Sequence, residues 1–405
     1  MLASDDKAPF DFNPFDADIR RNPYDVFRVA RREHPVFAHQ GFPIVSVFRY
    51  ADIQAILKDP QTFSSQFPPP PGVRREDMPP QSMLGQNPPQ HTRLRSLVNQ
   101  AFTPRIIRSL EPRLRQVADE LFDEALEKGE VDFVEAMTYP LPVIAIAEII
   151  GVPAADRGQF KKWSDSAVED LGNGLFAPPG PERLQKLGRL MTEMGEYFSR
   201  LADERRRQPR EDLLSGLVHA EIEGSKLAHG EMITMLVLLL VAGNETTTSL
   251  IGNTVLALLD HPGELARLHA DPGLSASAIE EVLRFSSPVQ MDPRWLTREV
   301  EIRGVKLEPG RFVVSWLGSA NRDEDVFAEA DRFDIGREDN RHIAFGFGIH
   351  YCLGANLARL EARVALDALL ARTRSFERAG SDPLPMHPSI VFRGVRELPL
   401  RLVAA

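Results

Sequence analysis

Cys352 is the only cysteine among 405 residues, and it sits in the run Phe345-Gly346-Phe347-Gly348-Ile349-His350-Tyr351-Cys352-Leu353-Gly354. A lone cysteine forms no internal disulfide and cannot build a zinc centre from several thiolates. Gly346, Gly348 and Gly354 let the backbone turn tightly and approach a flat partner. The run 355–363 that follows is rich in helix formers. Free N–H groups at the start of that helix favour negative charge and lower a thiol's pKa. The fold must therefore offer one thiolate at the entry to a helix.

Composition narrows the class. With 43% hydrophobic and 26% charged residues, the chain reads as an ordinary globular protein. A formal net charge of −10 argues against a general nucleic-acid-binding role. The first thirty residues are mixed and charged, with Asp5, Asp6, Lys7, Asp11 and Arg20, and contain no apolar signal core. The most apolar run, residues 235–243, is nine residues, about half of a membrane span. A cytoplasmic protein with no membrane partner is expected.

The hydrophobic pattern predicts a mainly α architecture with a small separate β region. Residues 36–37 and 42–48 read as a hairpin and 50–58 as a short helix. The proline-rich stretch 67–90 can be neither helix nor central strand; it reads as a surface loop or a lid over substrate. Amphipathic helices are predicted over 103–127, 139–151, 157–171 and 181–208, and a long one over 230–260 that is apolar around most of its circumference and so buried. Short strands are predicted over 300–303, 305–307, 312–316 and 391–402.

Inside the long helix lies Ala242-Gly243-Asn244-Glu245-Thr246-Thr247-Thr248. A glycine and three threonines are poor helix-interior choices, and a broken local rule often marks a functional site. Leu239, Ala242, Gly243, Thr246 and Thr247 share one stripe. Ala242 and Gly243 leave room for something flat and for a small ligand. Thr246 can bond a backbone carbonyl or pass a proton, and Glu245 points off the stripe as a proton reservoir.

The pattern F-G-x-G-x-H-x-C-x-G over 345–354, six identities in order, resembles the haem-binding loop of the cytochrome P450 superfamily, whose cysteine thiolate ligates haem iron. Ala242 to Thr246 is similar to that family's A-G-x-[D/E]-T segment, with Glu245 in the acid's place. Glu281 and Arg284 match its E-x-x-R helix. The segment from Ala320 through Arg337 resembles its meander, with Glu324 and Ala330 where two prolines are usual. The resemblance runs from about residue 20 to the C-terminus. It implies a P450-like helical fold, one catalytic haem domain over 1–405 with no fused reductase, and haem b (iron protoporphyrin IX) as cofactor with Cys352 as its metal ligand.

It further implies that His91, Arg95, Arg294 and His350 meet the haem carboxylates, where charge-assisted hydrogen bonds contribute about 1.5–3 kcal/mol each. Phe345, Gly354, Ala242 and Gly243 should line the cofactor, and Thr246 with Glu245 should deliver protons during oxygen activation. The implied activity is that of a monooxygenase, inserting one atom of O2 into a mainly apolar substrate with electrons from NAD(P)H. A ferredoxin-type or flavodoxin-type donor with its own reductase would supply them to a monomer. The alternatives are a peroxide-driven peroxygenase of the same fold and a haem-binding sensor that is not an enzyme. Expected pocket walls are Phe67, Leu84, the 172–180 loop, Leu239, Val289, Gln290, Met291, Val391 and Phe392, with Gln290 able to orient a substrate oxygen. Arg93, Arg95, Arg105, Arg108, Arg113, Arg359 and Arg363 form the expected docking patch for an acidic donor.

Overall fold

The computed structural model describes residues 10, 12–69, 74–77, 81–168, 180–222 and 224–405. The predicted 172–180 loop, apart from Gly180, lies outside the described residues. Helices dominate, and they converge on one long helix, His229–Asp260. Glu231 in its first turn reaches back to the Ala228 N–H at 2.9 Å, satisfying a donor that the helix cannot. By length and a mean hydropathy of 1.4 this helix could cross a membrane, but 61% of its most apolar window is buried inside the fold. It is the central helix of the core.

Around it pack Pro140–Ile150, Arg157–Val168, Pro181–Arg207, Ser275–Phe285 and Ala355–Arg372. Proline at the first helical position suits Pro140 and Pro181, because the missing N–H would be unpaired there anyway. The helix expected over 103–127 is two, Pro104–Ser109 and Glu111–Lys128. Pro112 has no N–H to continue the first ladder, so the chain restarts at Glu111.

The β region is a five-stranded sheet in the order Val36–Ala38, Ile44–Val47, Phe312–Ser315, Asp292–Leu296, Phe63–Ser64. Phe312–Ser315 runs parallel to Ile44–Val47, with Phe312 opposite Ile44 and Ser315 opposite Val47. Phe12, Phe27, Phe48 and Trp316 seal the N-terminal segment to this sheet, with Phe12 and Trp316 edge to face at 5.0 Å. A second sheet joins Thr373–Arg378, Pro399–Ala404 and Glu130–Asp132. The strand expected over 391–402 is thus confined to its end, and the chain before it is irregular. The expected 300–307 hairpin forms from Val300–Ile302 and Val305–Leu307.

Candidate functional site

Cys352 ends a tight loop just before the Ala355–Arg372 helix, and its N–H donates to the Phe345 carbonyl at 2.9 Å. Gly348 takes φ +72°, and a Cβ there would stand 2.5 Å from the Leu57 carbonyl oxygen, so both backbone and space demand glycine. Gly354 differs. Its backbone is ordinary, at φ −84°, and an added Cβ would meet no protein atom within 4 Å. Its open side leaves a face for a flat group. The Cys352 sulfur is accessible, although the protein around it desolvates the thiol and pushes its pKa up. The Gly354 and Ala355 N–H groups, Arg95 and Arg359 act in the opposite sense and favour the thiolate.

Four basic side chains meet beside this loop. The His91 and His350 rings lie 4.3 Å apart, and Arg95, Arg294 and Cys352 lie within electrostatic reach of one another or of these rings. His91 is 3% exposed, yet neither ring nitrogen has a hydrogen-bond partner. Arg95 makes no hydrogen bond or ion pair among the described residues. His350 meets the Ser65 hydroxyl at 2.9 Å. Arg294 contacts Asp292 and donates to the Pro293 carbonyl at 2.9 Å. Burial, then Arg294, His91 and Arg95, push His350 down to about 3, and burial with Arg95 lowers His91. In the chain alone both histidines are neutral donors rather than cations. Buried donors without acceptors are rare in folded proteins, and these fit the carboxylates of an anionic group.

Asn87 anchors the start of the Gln90–Ala101 helix that carries His91 and Arg95. Its carbonyl oxygen accepts from the Ser65 N–H at 3.1 Å and its amide donates to the Ser64 hydroxyl at 2.8 Å. A carboxylate at this position could accept from the hydroxyl but not donate to it.

On the central helix, Ala242 is exposed although Leu239, Leu240, Asn244 and Thr247 around it are buried. The helix therefore faces open space at this point. Gly243 does not share that face: a Cβ there would make an ordinary contact, 3.6 Å, with Ile146 of the Pro140–Ile150 helix. The Thr246 hydroxyl donates to the Ala242 carbonyl at 2.9 Å. Glu245 points away, toward Ser249 (3.5 Å) and His387 (3.6 Å). Burial, reinforced by Asp165, pushes its carboxyl up to about 7, against the Ser249 hydroxyl and Arg396. It can take and release a proton near neutral pH.

Sequence reasoning missed another buried acid. Glu361, on the Ala355–Arg372 helix, is 2% exposed and meets Thr247 of the central helix, while its Oε2 has no partner. Burial holds its carboxyl well above the ordinary range. The signal was present: Leu357, Val364 and Ala365 at i−4, i+3 and i+4 put Glu361 on an apolar face.

Glu281 and Arg284 are fully buried and bidentate, at 2.7 and 2.8 Å. Arg284 also donates to the Ala330 carbonyl at 2.7 Å and the Arg332 carbonyl at 2.9 Å. Glu281 accepts from Arg337 at 3.1 Å, Asn340 at 3.2 Å and the Asp334 N–H at 3.0 Å. The pair ties the helix to the 321–340 segment. Ala330 and Glu324 hold the positions where the family usually has prolines. The Ala330 carbonyl receives Arg284, and Glu324 receives Arg31 at 2.8 Å and Arg32 at 3.2 Å.

The expected pocket walls divide. Leu239 borders the main core, and Val289 bridges Phe392 across the chain. Leu84 is 51% exposed. The Phe67 ring stands edge to face on Phe312 at 5.1 Å, and Val391 packs partly buried against the N-terminal aromatic cluster. Two expectations need correction. Met291 is 2% exposed within that aromatic cluster, so it is scaffold rather than an adaptable wall. Gln290 donates to the Ser287 carbonyl at 2.7 Å and lies against Gly318. Gly318 leaves the space that its amide fills, and the side chain turns to the N-terminal segment. The docking patch is also smaller than expected. Arg93 meets Glu231, Arg113 meets Glu148, Arg359 meets Glu280 and Arg363 meets Glu111. Arg105 and Arg108 are exposed, with no such partner among the described residues.

Comparison with known proteins agrees with this geometry. The family model described as "Cytochrome P450" matches residues 6–271 and 274–396. The chain is 41% identical to "Cytochrome P450 109" of Bacillus spizizenii over 94% of its own length and 92% of the relative's. The structure of cytochrome P450 CYP109Q5 from Chondromyces apiculatus superposes with a TM-score of 0.88 at 42% identity, covering 97% of this chain and 98% of that one. That of CYP109E1 from Bacillus megaterium, in complex with corticosterone, gives 0.85 at 38% identity, covering 95% and 99%.

Proposed function

The chain belongs to the cytochrome P450 family and is a monooxygenase of that family, and on that premise we propose that it binds haem b through Cys352 and oxidises a mainly apolar, medium-to-large organic substrate. The observation that carries the cofactor assignment is the partnerless His91 beside the equally unpaired Arg95, which lies within electrostatic reach of the exposed Cys352. His91, Arg95, Arg294 and His350 would meet the haem carboxylates, Cys352 would ligate the iron, and Phe345, Gly354 and Ala242 would border the ring, while Gly243, expected there too, faces the Pro140–Ile150 helix instead. When bound, the haem supplies oxygen activation, using electrons from NAD(P)H carried by separate donors.

The protein supplies orientation, exclusion of water and protons. Charge from the haem carboxylates would oppose the burial that keeps His91 and His350 neutral, and raise both pKa values. Glu245, poised near 7, takes protons from solvent. Thr246 hands them on, releasing its bond to the Ala242 carbonyl as it does so. Leu239, Val289, Val391, Phe392 and Phe67 supply an apolar surface, and CYP109E1, crystallised with corticosterone, supports a substrate of steroid size. A ferredoxin-type or flavodoxin-type donor would dock at Arg105 and Arg108. We take the whole chain as one cytoplasmic, monomeric catalytic domain.

Cys352→Ala tests the centre of this reading. The reduced, carbon monoxide-bound protein should lose the spectral signature of thiolate ligation completely. Survival of that signature would refute the assignment. Titrating the haem spin state with compound classes tests the substrate: binding confined to small charged ligands would refute an apolar pocket.

A further inference from the structure

Glu245 is met from three sides. The Arg157–Val168 helix brings Asp165, which accepts from the Tyr139 hydroxyl at 2.7 Å and repels a second charge. The central helix brings Ser249. The C-terminal segment brings Arg396, and His387 at 3.6 Å from the Glu245 carboxylate. His387 lies outside every motif in the sequence, yet its ring is closely fixed. Its Nδ1 accepts from the Ser389 N–H at 3.2 Å, and the ring stands edge-on to Phe392 at 5.8 Å. With Nδ1 occupied as an acceptor, the neutral ring carries its proton on Nε2, which is the nitrogen facing Glu245.

The His387 region also borders a cleft of about 30 Å³, with Arg20, Gln290, Trp316, Ser389 and Arg393 on its walls. Arg20 Nε, Gln290 Oε1 and Arg393 Nε are buried there without protein partners. The space suits water and not an organic ligand.

We propose that His387 is a positioning residue for proton delivery, drawing the Glu245 carboxylate to the C-terminal side of the central helix, where solvent protons reach it. This rests on the proton-carrying role of Glu245 given above. At 3.6 Å the contact is longer than a hydrogen bond, so a neutral Glu245 is free to turn toward Thr246. Once it has given up its proton, the carboxylate is attracted to the Nε2–H. It returns to the cleft side, where a solvent proton binds it. Only O–H bonds form and break in this cycle. Burial and Arg396 push His387 down to about 4, while Glu245 sits at about 7. The two are therefore not charged together, and the contact works as donor to carboxylate rather than as an ion pair.

The test uses the reduced, carbon monoxide-bound holoprotein. The infrared band of the protonated Glu245 carboxyl is followed against pH and assigned by its loss in Glu245→Gln. Removing the donor in His387→Phe should raise the band's midpoint by about one pH unit, and His387→Gln, which keeps an N–H, should restore it. The midpoint of the division of electrons between product and hydrogen peroxide should move with the band. An unmoved band in His387→Phe overturns the proposal. So does an equal shift in His387→Gln, which would mean that only ring packing matters. A moved band with an unmoved electron division would instead refute the role of Glu245 while leaving the contact standing. Should His387→Phe fail to fold, the nitrogen resonance of His387 Nε2 decides. It should titrate near pH 7 in the parent protein and stay flat in Glu245→Gln; a flat response in both overturns the proposal.

Discussion

The helices carrying Glu281 and Glu245 withdraw a carboxylate from solvent, wholly at Glu281 and largely at Glu245, and the protein treats the two in opposite ways. Glu281 is met by Arg284, Arg337, Asn340 and a backbone N–H. Glu245 has one weak contact to Ser249, a histidine just out of hydrogen-bond range and a repelling aspartate, and its pKa climbs to about 7. Burial alone therefore says little about what an acid does. Where donors converge the charge builds structure, and where they are withheld the group exchanges protons.

The largest expected effect comes from breaking the first kind of site. Arg284→Ala leaves Glu281 buried without its bidentate partner and frees the Ala330 and Arg332 carbonyls. The loss should be about 3–5 kcal/mol, enough to abolish haem retention in a marginally stable fold. Chemical denaturation and haem content measure it. A variant that keeps haem and loses under about 1 kcal/mol would mean that the pair is no more than an exposed i,i+3 contact.

Next is the proton path. Thr246→Ala should leave NAD(P)H consumption in place and divert electrons to hydrogen peroxide. Product per electron should fall on the order of 10²-fold, the lower range for general acid–base catalysis. Unchanged coupling would take Thr246 out of the path, and with it the contrast between Glu245 and Glu281.

Much of this was legible in the sequence. The central helix was bounded to within one residue of its start at His229, because an apolar run of that length admits one periodicity. The Cys352 loop and the Glu281–Arg284 pair follow from short-range identities. Other features depend on contacts distant in sequence. His387 lies in an irregular segment with no repeat, and only the fold brings it to Glu245. Gln290 and Met291 were read as facing the substrate from their place between the Glu281–Arg284 helix and Arg294, which does not say which way each side chain turns; Gly318 and the aromatic cluster around Trp316 decide it. The arginines looked free because their carboxylate partners, Glu280, Glu111 and Glu148, come from other helices.

Glu361 sharpens the comparison at a third acid. Its folded pKa is raised, so the unfolded chain releases its proton first as pH rises above the ordinary value of 4.5. Wild-type stability from this group is present below that value and is lost as pH rises toward the folded pKa. The slope is about 1.4 kcal/mol per pH unit for one proton. Glu361→Gln keeps the shape and removes the proton linkage. The variant should match the parent near pH 4 and grow steadily more stable relative to it at higher pH. Denaturation series at several pH values read this directly, and parallel curves would mean that Glu361 is charged and paired in the fold.

The smallest effect carries the same contrast to the surface, where cations are either paired or free. Arg363 meets Glu111 at 3.0 Å, whereas Arg108 and Arg105 are exposed beside Ile106, itself 39% exposed, with no acidic partner among the described residues. A small acidic electron donor would be drawn to the free pair, because the field of a paired arginine is largely cancelled by its carboxylate. Arg108→Gln and Arg363→Gln each remove one positive charge, so net charge alone predicts equal consequences. Local pairing predicts that Arg108→Gln slows reduction by a ferredoxin about two- to fivefold at low salt, on the scale of the 0.2–1 kcal/mol of an exposed pair, and that Arg363→Gln changes it little. The difference should fade as ionic strength passes about 0.15 M and the screening length falls to about 8 Å. Stopped-flow reduction across a salt series distinguishes the two. Equal slowing by both variants would mean that donors respond to the overall field, and a rate independent of salt in all three proteins would remove Arg105 and Arg108 as a docking site.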